Sequence, residues 1–461
     1  MSPKTAITEN EPIAAIATPL GEGGIAVIRV SGNKAIEQVD TVFSGKELAA
    51  QPANTIHYGK IVRNGEVVDE VMASVFRNPN SYTGEDTVEI SCHGGVLITQ
   101  LVLETLLETG VRAAKPGEFT HRAFLNGKMN LEQAEAVADM IHAKSRKAVD
   151  AAGQQLEGSL GKHIQKFRQQ IIDATALVEL ELDFIEEDVE FADYDQLKQI
   201  LTELDAEIEE LLSTYETGRL VKHGVQTVIA GLPNAGKSTL LNKLIGQDRA
   251  IVSEIAGTTR DTIDVDWSYD GLMFKLIDTA GLRDQTTDTI EAEGIKRSEE
   301  AIGRAHIIVY LKDLSHPLTK KELDDINAYR SKAVDVPFLL VGTKADIAAE
   351  VEDRRLDYDL MISSMEGLYM DELKQLMKDR ALEQKKYDSS GILITSTRHR
   401  DALNKTQEHV RNALQALQDG MSGDFLAIDL RSALQHLGEI TGEITNEHVL
   451  DSIFSRFCIG K

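Results

Sequence analysis

Apolar residues recur along this chain in two periods, and the period changes at definable places. Over residues 1–120, short apolar runs at 13–17, 25–30 and 87–91 predict strands, punctuated by Gly21, Gly23, Gly24, Gly84, Gly94 and Gly95. Residues 97–107 repeat apolar positions at helical spacing, so this segment predicts an α/β domain. Over 121–219 the helical period takes over. It runs through 129–141, behind Asn130 as a candidate N-cap, then 164–182 and 197–212. Over 220–380, apolar strands at 225–230, 274–277, 307–311 and 336–341 alternate with helical stretches, as in a mostly parallel sheet. Residues 381–461 return to the helical period. The economical arrangement is an α/β domain at 220–380 inserted into an all-α domain built from 121–219 and 381–461.

Composition leaves this picture intact and narrows it. A chain of 461 residues predicts about three domains, each able to bury a core. Apolar residues make up 42% and charged residues 27%, but no apolar run reaches the roughly eighteen residues of a spanning helix. The first residues lack a charged-then-apolar signal pattern, so a cytoplasmic location is expected. Cys92 and Cys458 are too few and too distant to predict a disulfide framework. The formal net charge of −26 argues against a generally basic nucleic-acid surface, though not against a local basic patch. The acidic run at 186–190 reads as a solvated bend between helices, with a metal site as the alternative.

The candidate chemistry sits in the inserted segment. Gly231-Leu-Pro-Asn234-Ala235-Gly236-Lys237-Ser238-Thr239 follows the strand at 225–230 and precedes a helix, the context a phosphate-binding loop requires. Its glycines let backbone N–H groups face phosphate oxygens. Lys237 is expected to reach the β/γ-phosphates and Ser238 to ligate Mg²⁺. Asp278-Thr279-Ala280-Gly281 lies about forty residues on, where an Asp near Mg²⁺ and a γ-phosphate-sensing Gly are expected. Within Ile255-Ala-Gly257-Thr258-Thr259, one threonine is expected to ligate Mg²⁺ when γ-phosphate is present. Thr343-Lys344-Ala-Asp346 stands where a guanine reader is expected. Asp346 could accept from guanine N1–H and the 2-amino group, a pair of donors adenine lacks, with Lys344 along the base. Thr343 replaces the more usual Asn, so the brace that amide gives to neighbouring loops is expected to be lost and selection to rest on Asp346. Ser363 and Ser364 occupy the place of the last base-contacting loop. Leu282 follows Gly281, and a leucine cannot orient an attacking water, so that group must come from elsewhere.

These motifs, with Cys92-His-Gly-Gly95, the run from Pro116 to Lys128, and the terminal Phe457-Cys-Ile-Gly-Lys461, resemble the tRNA-modification GTPase family MnmE, also called TrmE. The resemblance covers nearly the whole chain. It implies an N-terminal domain that dimerises and binds a tetrahydrofolate derivative in the 5-formyl or 5,10-methylene form. It implies a flavoprotein partner, MnmG, in a heterotetramer that modifies wobble uridine of tRNA at carbon five. It implies a homodimer whose GTPase domains meet with K⁺ at the phosphates, held by Asn234, Ser253, Ile255 and Thr258, and Mg²⁺ on Ser238 and Thr259. Glu291 matches the water-orienting carboxylate, with Glu293 as competitor. Arg29, Glu89, Lys128 and Lys461 match the folate pocket. By residue type alone, Arg29 and Glu89 read more readily as a structural ion pair and Lys461 by default as a frayed terminus. Cys458 reads either as a catalytic thiol or as an inert one. Arg398-His-Arg400 reads as a tRNA contact or as a helix start. The competing reading of the whole chain is a GTP-dependent switch, such as a ribosome-assembly factor, without group transfer.

Overall fold

The computed structural model describes residues 11–183, 194–247, 264–278, 300–333, 335–348, 356–382 and 391–461. Two compact units emerge. One gathers 1–138, 156–168 and 434–461, and the other gathers 139–155 and 169–433.

In the first unit, seven strands form one sheet. They are β1 (Ile13–Ile16), β2 (Gly23–Ser31), β3 (Phe43–Ser44), β4 (Thr55–Arg63), β5 (Glu66–Phe76), β6 (Thr87–Gly94) and β7 (Arg112–Ala113). Their spatial order is β3-β4-β5-β6-β2-β1-β7, antiparallel except for the β1–β7 pair. Alternate residues Ala26, Ile28 and Val30 of β2, Val71, Ala73 and Val75 of β5, and Val88 and Ile90 of β6 bury one face. Val102 and Leu106 of the helix Val96–Glu108 join the same core, so the period of two in the strands meets the period of 3.6 in the helix. The hairpin β4–β5 was not among the expected strands. Its signal is Asn64-Gly65, both at positive φ (53° and 86°), which suits the tight turn between antiparallel strands.

The expected helix near 129–141 runs Leu131–His142. Asn130 Oδ1 accepts the Gln133 N–H (3.1 Å) and Gln133 Oε1 accepts the Asn130 N–H (3.0 Å), a reciprocal cap. Leu131 and Ala134 pack with Phe454 and Phe457 in a small core. The chain end therefore does not fray. Gly460 lies against β1 so closely that a Cβ there would come 2.1 Å from the Ile16 carbonyl oxygen, and its φ of +103° also requires glycine.

The second unit holds the other sheet. Its strands are β8 (Val225–Ala230), β9 (Asp264–Tyr269), β10 (Leu272–Asp278), β11 (Ile307–Asp313), β12 (Phe338–Thr343) and β13 (Leu360–Met361), in the order β13-β12-β11-β8-β10-β9. All pairs are parallel except β9–β10. β12 begins after Pro337, later than the pattern suggested, because proline has no N–H for the ladder. Both faces are covered. Ile229, Val309 and Val341 pack toward Leu240 and Leu244, whereas Val228, Ile308 and Leu340 pack toward Ile326 and Tyr329. The helices before this sheet and the chain after it come together. Gln407 donates to Glu209 (2.8 Å), Arg411 to Asp205 (2.8 Å), and Tyr215 and Thr397 share a 2.9 Å bond. The helices that precede the sheet and the helix that follows it are thus in contact.

Candidate functional site

Parallel strands end on the same side of a sheet, so β8, β10, β11 and β12 deliver four loops to one edge. β8 lies between β10 and β11, and the chain forms β9 and β10 on one side of it before crossing to β11 on the other. A crevice opens where a sheet reverses its winding in this way, beyond the carboxyl ends of the strands. The phosphate loop stands there, between Ala230 and the helix Lys237–Gln247.

Three backbone facts shape the loop. Gly231 (φ +140°) passes so near β11 that a Cβ would lie 2.4 Å from the Leu311 carbonyl oxygen. Gly236 has φ +92°. Asn234 adopts φ +66°, a left-handed conformation that Asn tolerates better than most residues. Lys237 is buried and donates to the carbonyls of Gly231 (2.7 Å) and Leu232 (2.9 Å). Both carbonyls are neutral acceptors, and an anionic phosphate oxygen is a stronger one. Ser238 and Thr239 occupy the exposed first turn of the helix, and Asn234 is exposed beside Ala235. Asp278 ends β10 in register with Ile229, two residues before the loop.

Thr343 corrects one expectation. Its hydroxyl is buried and lies 2.8 Å from the Ala235 carbonyl oxygen and 3.2 Å from that of Lys312. The phosphate loop is braced to the ends of β11 and β12 after all, by a hydroxyl in place of an amide. Lys344 (φ +58°) opens the short 3-10 turn Ala345–Ile347, and its Nζ lies 2.6 Å from Asp313 Oδ2. Asp346 is exposed on that turn. The Ala345 N–H donates to Ile362 (3.0 Å), which brings Asp346 beside Ser363 and Ser364. Ser363 caps its own turn, its hydroxyl accepting the Glu366 N–H at 3.2 Å. Ser253, Ile255, Gly257, Thr258, Thr259, Thr279, Ala280, Gly281, Leu282, Glu291 and Glu293 lie outside the described residues, as does the acidic run 186–190.

The first unit carries a second constellation. Arg29 and Glu89 face each other across β2 and β6, with Nε and Nη2 both 2.9 Å from Glu89 Oε1. The guanidinium lies 4.9 Å from the Tyr82 ring and 5.5 Å from the Phe119 ring. Its Nη1 is buried and makes no hydrogen bond among the described residues. A buried guanidinium with a spare donor is more than a closed structural pair requires.

The run from Pro116 to Lys128 finds its reason here. Glu118 and Arg122 are almost wholly buried, and Arg122 donates to Glu118 (3.0 Å) and Glu85 (3.2 Å). Burial raises the Glu118 carboxyl, but Arg112, the Lys115 N–H and Arg122 overcome it and hold it below the usual carboxylate range. This network fixes the helix Glu118–Leu125 and the loop at 81–87, which carry Phe119 and Tyr82 to Arg29. Lys128 Nζ donates to Pro79 (3.0 Å) and Asn126 to Thr83 (2.8 Å), pinning the same loop from its other end. The Gly460 contact with Ile16 brings the end of the chain to β1, whose Ala15 pairs with Arg29, so Lys461 belongs to this neighbourhood. Tyr82 lies in a loop and Phe119 in a helix of only eight residues, so neither carries a long periodic signal in the sequence.

Cys458 is exposed next to buried Phe457, whereas Cys92 is buried in the sheet core. Arg400 is held by Asp401 (2.7 Å) and lies 4.6 Å from the Tyr215 ring, so it serves the start of the helix Thr397–Gln418.

Comparison with known proteins gives a consistent result. Residues 12–128 match the family model described as GTP-binding protein TrmE N-terminus, and residues 131–458 match that of the MnmE helical domain. The chain is 44% identical to the tRNA modification GTPase MnmE of Cytophaga hutchinsonii, over all of both chains. It is 47% identical to that of Salinibacter ruber, over 99% of this chain and 100% of the relative. Among solved structures it is similar to Aquifex aeolicus Era bound to GDP and aluminium fluoride. The identity is 22%, with 40% of this chain and 65% of that one covered and a TM-score of 0.27.

The Thr343 brace generates a prediction. Thr343→Val removes the hydroxyl but keeps the shape, so GDP affinity should fall about tenfold, one lost buried hydrogen bond. Thr343→Asn should retain most of it. Titration with a fluorescent GDP measures both, and unchanged affinity in the valine variant would show that the brace is idle.

Proposed function

The chain belongs to the MnmE family of tRNA modification GTPases, and from that premise we propose how its two constellations divide the work. The sheet edge at Gly231–Thr239 binds and hydrolyses GTP. The observation that carries this is the phosphate loop itself, with buried Lys237 poised on loop carbonyls and Thr343 bracing the loop from the guanine side. Backbone N–H groups and the start of the helix at Lys237 favour the phosphate anion. Ser238, in the first turn, is suited to hold Mg²⁺, and Asp346 to select guanine.

Asn234 is exposed in the loop and suited to hold K⁺, with Ser253, Ile255 and Thr258 completing the ligand set. A K⁺ there supplies positive charge to the developing β/γ oxygens. Leu282 cannot orient water, so Glu291, or Glu293, takes that role in our reading.

The Arg29 constellation binds the one-carbon carrier, a tetrahydrofolate in its 5-formyl or 5,10-methylene form. A pterin offers amide-like donors and acceptors. Glu89 can accept from the former, and the spare Nη1 of Arg29 can donate to the latter. Tyr82 and Phe119 supply flat apolar surface. Lys128 and Lys461 suit the carboxylate tail. With the flavoprotein MnmG, in a heterotetramer, the protein then modifies carbon five of wobble uridine, with Cys458 exposed near the chain end as the candidate thiol.

The homodimer is proposed to form through the sheet face opposite the core of the first unit. Ile25, Ile56, Tyr58 and Met72 are 69%, 62%, 61% and 43% exposed there, and Tyr58 pairs with Met72. Single exposed apolar residues are ordinary, but a contiguous set on one sheet face marks an interface.

Three outcomes are expected. Calorimetry with 5-formyl-tetrahydrofolate should show binding that weakens at least tenfold in Arg29→Gln while GDP affinity holds. No binding to the wild type would instead favour a GTP switch without group transfer. GTP turnover should be severalfold faster in KCl than in NaCl at equal ionic strength, and equal rates would remove K⁺ from the mechanism. Met72→Arg should shift sedimentation toward the monomer, and an unchanged dimer would place the interface elsewhere.

A further inference from the structure

Lys344 and Asp346 lie two residues apart on the same short turn, opposite in charge and both needed at the base. Left to themselves they would pair and occupy the carboxylate that should read guanine. The structure shows Lys344 engaged elsewhere. Its Nζ lies 2.6 Å from Asp313 Oδ2, at the end of β11. Asp346 is exposed and makes no hydrogen bond or ion pair among the described residues.

Asp313 is itself immobilised. Its Oδ1 accepts the Ser315 N–H (2.9 Å) and the Ser315 hydroxyl (2.6 Å), so the carboxylate cannot follow Lys344 into solvent. Asp313 is 8% exposed. The turn behind it is fixed by Lys312, 2% exposed, whose Nζ donates to the carbonyls of Asp313 and His316 and lies 3.4 Å from Glu322 Oε1. Burial pushes the Asp313 carboxyl upward, but Lys344 and the Ser315 hydroxyl and N–H outweigh it and keep the group ionised. The Leu314 N–H donates to the Thr343 carbonyl (2.9 Å), which locks this turn to the end of β12.

We propose that Asp313 is a positioning residue for guanine recognition, which holds the Lys344 ammonium away from Asp346 and lays the lysine stem across the base site. The proposal rests on the reading of this protein as a GTPase. The charge pattern makes Asp313 a rival acceptor built into a rigid turn. A charge-assisted bond to a fixed, mostly buried carboxylate outcompetes one to an exposed, solvated neighbour. Guanine then meets Asp346 with both oxygens open for its N1–H and 2-amino group.

The test compares GDP with IDP, whose hypoxanthine lacks the 2-amino group, on the full-length protein. Asp313→Asn should weaken GDP binding about tenfold and IDP binding about threefold, so the preference for GDP narrows. In a Lys344→Ala background, Asp313→Asn should cost less than a further twofold, because the two residues act as one unit. Ser315→Ala keeps the carboxylate but frees it. It should give a smaller loss with the same narrowing, and it carries the test alone if Asp313→Asn does not fold. A wild-type protein that binds no GDP would overturn the GTPase reading itself. GDP and IDP affinities falling in equal proportion, or full additivity of Asp313→Asn and Lys344→Ala, would overturn the role of Asp313.

Discussion

The second unit is organised around one close approach. The backbone of residue 231 runs so near the end of β11 that a side chain has no room, since a Cβ would sit 2.4 Å from the Leu311 carbonyl oxygen. Glycine there lets the chain leave β8 and turn at once into the loop, without first climbing away from the sheet. The loop then lies low over the strand ends, where Lys237 reaches back to its carbonyls and Thr343 reaches across to Ala235. Had the loop stood off by even the width of a methyl group, neither short contact could form. The site is therefore a consequence of how tightly a parallel sheet can be left, and the charged groups act on a path that sterics has already set.

The base side repeats this logic with charge. The ends of β11 and β12 contribute Asp313, Thr343 and Lys344 within a few residues of one another. The Leu314–Thr343 backbone bond and the buried Lys312 make that corner rigid. A rigid corner can assign each ion a partner, whereas a flexible one would let the nearest opposite charges collapse together. Lys344 accordingly goes to Asp313, and Asp346 stays in solvent.

The first unit solves a different problem. It must keep a guanidinium buried in a sheet without closing every hydrogen bond around it. Arg29 is supported from one side by Glu89 and from the others by the rings of Tyr82 and Phe119, which satisfy its surface but not its Nη1. The aromatic supports are held in turn by buried Glu118 and Arg122. Ion pairs in the interior gain little net stability, so this network is better understood as fixing geometry.

Much of this was legible in the residues. The two apolar periods located β8, β10, β11 and β12 of the second unit and the long helices, though not β9 or β13, because burial on a strand or a helix demands a repeat that survives in sequence. The glycines of the phosphate loop and the Asn130 cap were likewise local, each needing only its neighbours. What sequence could not carry were contacts between residues far apart in the chain. Thr343 reads as a loss in the sequence because its partner carbonyl stands at Ala235, 108 residues earlier. Lys461 looked like a loose end because only the fold brings Gly460 onto Ile16. Asp313 carried no motif at all, and its meaning is the 2.6 Å to Lys344 that two adjacent parallel strands create. Local backbone chemistry thus determined which loops and helices this chain forms. Tertiary packing alone decided which side chains those elements would face, because a hydrogen bond depends on distance in space and the sequence records only distance along the chain.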